Sequence, residues 1–310
     1  MKIFAFLAMG VAAYLGLNLE VLRKPLTIGY IKQAYDAKQR YAAAWGGRPK
    51  IVIVGGSSSL FSVRCQLIER ALGRPCVNMA VTAGIGIDLI LDKALGAIGP
   101  GDMVILPLEY DFYAATAEQI DSNATANAYL ATYDHPLLLR QDRRRIAAAL
   151  FSLSLRDAYS SMVEMGLERA GFQRRFRVDQ LTEQGDMTGH SVERAAPYAD
   201  YIASLPGIAP EVDADSRGAV LIRRFAAAVK DRGAMAHGTY PATIDDGGPP
   251  GPGYAQVETF WRQSGAGFLA LANLGRYPRR DFYDTGYHLA EPYQIEHTEA
   301  MVRAIRSSGE

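Results

Sequence analysis

The sequence predicts an α/β protein: a doubly wound, five-stranded parallel sheet with a helical insertion after the third strand. Three observations carry that expectation. Short, continuous apolar runs such as IVIV at 51–54 mark strands buried on both faces. These runs alternate with stretches whose apolar residues recur at helical spacing and stop at glycine. The alternation breaks after Tyr110 and resumes near residue 215, and strands joined through helices imply parallel pairing with right-handed crossovers.

The N-terminal segment, residues 1–24, has a short basic start and runs from Ile3 to Leu17 with Tyr14 as its one polar side chain; Arg23 and Lys24 close it. Spanning a bilayer takes roughly 20 residues, a length this run reaches when extended to Leu22. Gly10, Ala12 and Ala13 offer small residues for a signal-peptidase site, but cleavage there would leave a greasy new terminus. The segment is therefore expected to be an uncleaved signal anchor rather than a cleaved signal peptide, and either of these rather than a buried core helix. Residues 25–49 read as a helical connector ending at Gly46-Gly47, and 50–310 as the α/β domain.

Within that domain the first strand covers 51–54 and is followed by a helix from Phe61 to Gly73, with Val63, Leu67, Ile68 and Leu72 on one face. PCVNMAV (75–81) is the second strand, IDLILDKALGAIG (87–99) the second helix, and DMVILPLEY (102–110) the third strand. Residues from about 112 to 205 are mostly helix formers and constitute the insertion. A helix through Leu221, Ile222, Phe225 and Val229 then leads to a strand at AMAHGTYPAT (234–243) and the loop GGPPGPG (247–253). A helix at 254–264, a strand at GFLALAN (267–273) and a last helix around 296–305 complete the set.

Lys+Arg and Asp+Glu are equal at 33 each, so no basic excess argues for nucleic acid. Cys65 and Cys76 form neither a disulfide framework nor a metal site; they either pair in an oxidising compartment or stay as buried thiols. No metal and no cofactor is called for.

Ligands of an open parallel sheet sit beyond the carboxyl ends of its strands, and the first strand ends in GGSSS (55–59). A serine there sits at a helix mouth, where N–H groups favour developing negative charge, and the glycines allow a tight turn. The phosphate-loop alternative lacks the third glycine and the lysine that such loops need; a plain serine-rich cap remains open. A nucleophilic serine requires a base, and the base an orienting acid. Among His135, His190, His237, His288 and His297, two stand in the pattern Asp-x-x-x-His: Asp186/His190 and Asp284/His288. His288 follows the last strand and so shares the carboxyl edge with Ser57, whereas His190 lies in the insertion and would reach the site only as a lid. His237 and His297 sit within a strand and a helix, and His135 in a polar turn.

The blocks GGSS, VNMAVTAGIG and FYDTGYHLAE, in this order, resemble those of the SGNH/GDSL hydrolase superfamily. The likeness is greatest to a divergent branch of bacterial envelope proteins, similar in plan to the extracellular proteins of teichoic-acid D-alanylation and alginate O-acetylation. It covers residues 50–110 and 215–305 and implies a flavodoxin-like sheet. It also implies Ser57 as nucleophile, His288 as base and Asp284 as its orienting acid. Gly84 matches the glycine whose N–H joins that of Ser57 in binding the oxyanion, and Gly56 and Ser58 flank the nucleophile; Ser58 and Ser59 are rival nucleophiles if the turn is offset. This chain departs from the family by spacing Asp and His one residue further apart. It also has LPLEYDF where the third block usually carries an asparagine that donates to the oxyanion. Losing such a donor costs about 3–4 kcal/mol of transition-state stabilisation, so either another donor, such as Tyr110 or a residue of the insertion, replaces it or the chain is a slow transferase; Glu109 cannot donate when ionised and is expected to contact substrate or support a loop. The implied function is a membrane-anchored serine esterase or O-acyltransferase at the bacterial inner membrane, facing the periplasm or exterior. Its implied partners are an acylated glycan or acyl donor and a membrane-bound O-acyltransferase. The alternative is a catalytically silent binding or assembly protein of the same fold.

Overall fold

The computed structural model describes residues 2–23, 26–151, 159, 162–163, 165–167, 169–172 and 177–309; of 17–23, 26, 27 and 151 it describes the backbone alone. Lys24, which closes the expected anchor, and residues 152–158 of the expected insertion lie outside the described residues.

Two compact units divide the chain. The α/β unit comprises residues 35–83, 87–117 and 179–310. It is built on a five-stranded parallel sheet: β1 (Ile51–Ile53), β2 (Cys76–Asn78), β3 (Met103–Leu106), β4 (Met235–Thr239) and β6 (Gly267–Leu269), in the order β2-β1-β3-β4-β6. Ile51 pairs with Cys76 on one side and Met103 on the other, and His237 of β4 with Gly267 of β6. Every residue of β1, β2 and β3 is buried, which is why these strands appear in the sequence as unbroken apolar runs.

A second, two-stranded sheet pairs β5 (Thr243–Ile244) with β7 (Arg276–Tyr277). The single strand expected over 234–243 is thus two. Pro241 stands in the gap between β4 and β5, and a proline has no N–H to offer a ladder. In β4, a Cβ on Gly238 would lie 2.2 Å from the Trp261 ring; the glycine lets the indole lie flat on the strand, with Nε1 donating to Tyr113 Oη at 2.8 Å.

The helix expected from Phe61 is also two. One (Ser57–Ser62) starts at the serines themselves, and the next (Cys65–Leu72) stops at Gly73, φ 65°. Val63 and Arg64 between them are extended. The final helix (Glu291–Ser307) satisfies the groups this break frees: Arg64 N–H donates to Thr298 Oγ1 (2.9 Å), and Gln294 Nε2 to the Val63 carbonyl (3.1 Å). Cys65 and Cys76 form a disulfide that ties the start of the second of these helices to β2.

The helical unit comprises residues 1–34, 84–86 and 118–178. The stretch expected as an insertion, about 112–205, therefore divides: 118–178 groups with the N-terminal helix, and 112–117 and 179–205 with the sheet. Helices at Ala124–Tyr133 and His135–Leu138 are capped by Asn123, which accepts from Ala126 N–H (2.9 Å), and Asp134, which accepts from Leu137 N–H (3.1 Å). In the first helix (Lys2–Arg23), Ile3, Phe4, Phe6 and Leu7 are exposed. Among the described residues, no helix is long and apolar enough to cross a membrane.

Candidate functional site

The turn that leaves β1 separates its three serines. Ser59 is buried and its Oγ donates to the Pro107 carbonyl (3.0 Å), and Ser58 is buried as well. Ser57, the first residue of its helix, is half-buried, and among the described residues no hydrogen bond reaches its Oγ.

Glu109 arrives from the carboxyl end of β3 and fills the space against this turn. Its Oε2 accepts from Gly56 N–H (3.1 Å) and its Oε1 from Ser58 N–H (2.9 Å). A Cβ on Gly56 would stand 2.4 Å from Glu109 Oε1 and 2.7 Å from Ala83 Cα, so only glycine admits the carboxylate here. Burial raises the Glu109 pKa above the ordinary carboxylate value; the Ser58 and Gly56 N–H groups and the facing His288 pull it back down.

Asp284 and His288 stand on the loop between β7 and the final helix, with His288 Nδ1 2.6 Å from Asp284 Oδ1. The loop folds back on itself: Tyr283 N–H donates to the His288 carbonyl (2.7 Å) and His288 N–H to that of Thr285 (3.3 Å). The four-residue spacing thus closes a turn that brings the carboxylate to the imidazole. A carboxylate on Nδ1 fixes the proton there and leaves Nε2 as the acceptor of the neutral ring.

Phe61 connects this pair to the serine turn. Its ring stacks on the His288 ring at 4.2 Å between centroids, 10° from parallel. Phe61 follows Ser57 by four residues on one short helix, so the two share a face. The Phe61 stack therefore sets His288 beside the turn.

His190 belongs to the α/β unit and packs edge-on against the same Phe61 (5.1 Å) and against Tyr283 (6.0 Å). It is buried, and among the described residues neither ring nitrogen has a hydrogen-bond partner. Burial lowers its pKa to about 4, against the opposing charge of Glu291. Asp186 does not serve it. That carboxylate accepts from Asn78 Nδ2 (3.2 Å) and Thr182 Oγ1 (3.3 Å) and faces the buried ammonium of Lys38. Lys38 Nζ donates to the carbonyls of Ala80 and Gly185, and burial lowers its pKa to about 7.

The residues expected at the oxyanion lie as follows. Gly84 is in a one-turn helix (Ala83–Ile85) after β2, within the 84–86 stretch that groups with the helical unit. Tyr110 is buried, its hydroxyl has no hydrogen-bond partner among the described residues, and burial together with the neighbouring phenols of Tyr254, Tyr113 and Tyr287 raises its pKa. Tyr287, for which the sequence raised no expectation, also has a buried hydroxyl without a hydrogen-bond partner among the described residues and faces Asp111 and Glu109. Its position beside His288 in DTGYH was the available signal. Among the remaining histidines, His297 Nδ1 lies 3.1 Å from Tyr277 Oη, His135 Nε2 lies 2.8 Å from the Ala131 carbonyl, and His237 is buried in β4. Among the described residues, no three His, Cys, Asp or Glu side chains cluster so as to hold a metal ion. The chain matches no family model and no curated protein.

Proposed function

We propose that this chain is a serine esterase or O-acyltransferase of SGNH-like type acting on acyl groups of an envelope or exported glycan. One observation carries the reading: the Asp284–His288 pair, closed at 2.6 Å, stacks on the helix whose first residue is the half-buried Ser57. In the reaction, His288 Nε2 takes the Ser57 hydroxyl proton as Oγ bonds to the ester carbonyl carbon, and the carbonyl electron pair moves onto its oxygen. Collapse of that intermediate expels the alcohol oxygen, which leaves with the proton from His288. The acyl group then passes from Ser57 to water or to a sugar hydroxyl by the same steps reversed. Asp284 holds the imidazole and balances its transient positive charge. The order β2-β1-β3-β4-β6 supports a flavodoxin-like sheet once β5, which pairs outside it, is set aside, and 118–178 supports a helical insertion.

Two observations support an exported, membrane-held protein. The Cys65–Cys76 disulfide suits an oxidising compartment. The exposed Ile3, Phe4, Phe6 and Leu7 side chains suit a lipid or protein cover for the first helix. A membrane-bound O-acyltransferase is the partner proposed to supply acyl groups.

Hydrolysis of p-nitrophenyl acetate and of an O-acetylated polysaccharide by the wild type and by Ser57→Ala tests the proposal. Turnover that Ser57→Ala abolishes supports it, and equal rates for the two proteins contradict it. The second reading, a silent glycan-binding or assembly protein, is favoured by Glu109 already occupying the Gly56 and Ser58 N–H groups; it predicts glycan retention by a protein without turnover.

A further inference from the structure

The strand-three position of the resembled family carries a donor, whereas here it carries a buried carboxylate that accepts. Glu109 is 3% exposed, and both of its oxygens are taken by N–H groups on either side of Ser57. The carboxyl group lies tight against the turn: a single methyl group on Gly56 would collide with Oε1. Burial favours the neutral form of this acid, and the two N–H donors on its two oxygens favour the carboxylate form. The Ser57 N–H, between the two occupied ones, stays uncommitted among the described residues.

Titratable groups meet at this point from several sides. Asp284 faces His288 from its own loop, Glu109 from the end of β3 and His190 from the 179–190 segment, while the Phe61 ring covers one face. Glu109 in turn faces His288, Tyr113 and Tyr287. A carboxyl group that braces the serine turn through two N–H groups leaves the turn one conformation in which to meet substrate.

We propose that Glu109 is a positioning residue of this site: its side chain clamps the two N–H groups flanking Ser57 and holds the serine turn in one conformation before substrate arrives. The inference rests on the proposed acyl-transfer chemistry for its kinetic meaning, but the clamp is a physical property that can be measured without turnover.

Amide hydrogen exchange at Gly56 and Ser58 is followed by NMR in the full-length wild type, Glu109→Gln and Glu109→Asp. Glu109→Gln turns one acceptor into a donor and Glu109→Asp shortens the arm, so one or both amides should exchange about tenfold faster in each variant. Fluorophosphonate labelling of Ser57 should slow about 100-fold in Glu109→Gln and about tenfold in Glu109→Asp, in line with loss of site geometry. Unchanged exchange at both amides in Glu109→Gln overturns the proposal, whatever happens to the rate. Should Glu109→Gln fail to fold, Glu109→Asp decides: faster exchange at Gly56 or Ser58 supports the inference and unchanged exchange overturns it. A wild type that takes no label, while the Glu109 variants loosen these amides, leaves the clamp standing and removes the acyl-transfer reading instead.

Discussion

The chain contains two Asp-x-x-x-His segments, and the structure folds them to different ends. In the later one, Asp284 Oδ1 meets His288 Nδ1 at 2.6 Å. In the earlier one, Asp186 turns to Asn78, Thr182 and Lys38, and neither nitrogen of His190 has a hydrogen-bond partner among the described residues. Both imidazoles nevertheless touch Phe61, one stacked and one edge-on. Spacing alone therefore does not make a dyad; what decides is whether the carboxylate has better partners elsewhere. Asp186 is fully buried beside a buried ammonium and a side-chain amide, so its charge is already answered, and a histidine would compete in vain. Asp284 has a histidine folded onto it by its own turn.

The largest expected difference between the two segments is catalytic. Asp284→Asn should lower kcat for ester hydrolysis about 10⁴-fold by releasing the imidazole from its working tautomer. Asp186→Asn should leave kcat within about threefold, its cost being about 1–3 kcal/mol of stability from the altered buried hydrogen bonds. Steady-state kinetics and urea denaturation on both variants separate these outcomes, and comparable kcat losses would erase the contrast.

Next in size is Lys38→Met. It leaves the Asp186 carboxylate buried without its opposing charge and the Ala80 and Gly185 carbonyls without their donor. A destabilisation of about 3–5 kcal/mol is expected in equilibrium unfolding, and Lys38→Met with Asp186→Asn together should cost less than the sum of the two.

A smaller effect follows from pH. His190 and His297 have pKa values lowered to about 4 by burial, against 6.5 for an unfolded histidine. Between those values the unfolded chain binds the extra protons, so stability is complete above about pH 6.5 and is lost as pH falls toward 4. Each histidine should contribute a slope of about 1.4 kcal/mol per pH unit within that window. His190→Asn should make the measured slope shallower by one proton, and an unaltered slope would show that His190 is not held neutral.

The smallest effect concerns the shared ring. Phe61→Leu removes the stack under His288 and the edge contact of His190, and aromatic pairs of this kind contribute about 0.5–1.5 kcal/mol. A kcat reduction of about threefold to tenfold is expected; a loss as large as that of Asp284→Asn would mean that Phe61, not Asp284, orients the base.

What was legible in the sequence is what local pattern encodes. The buried strands at 51–53 and 103–106 announce themselves as apolar runs, and the turn that joins Asp284 to His288 lies within five residues. The helix break at Val63-Arg64 was not legible, because its freed groups are satisfied by Gln294 and Thr298, more than two hundred positions away. The same holds for Glu109, whose role depends on two N–H groups some fifty positions earlier, and for Asp186, whose partner Asn78 is 108 positions distant. The signal for Glu109 was present as a negative one: an acidic residue at a strand end where the resembled pattern has an amide. Pairing of Cys65 with Cys76 was one of two open states in the sequence, and the contact between the start of a helix and the start of β2 resolves it.

The central claim is that Ser57, served by His288 and not by His190, is the nucleophile. Fluorophosphonate labelling followed by peptide mapping tests it most directly. The account predicts phosphonylated Ser57 in the wild type and in His190→Asn, and no label in His288→Asn or Ser57→Ala. Label on Ser58, or label that survives His288→Asn and disappears in His190→Asn, would contradict it.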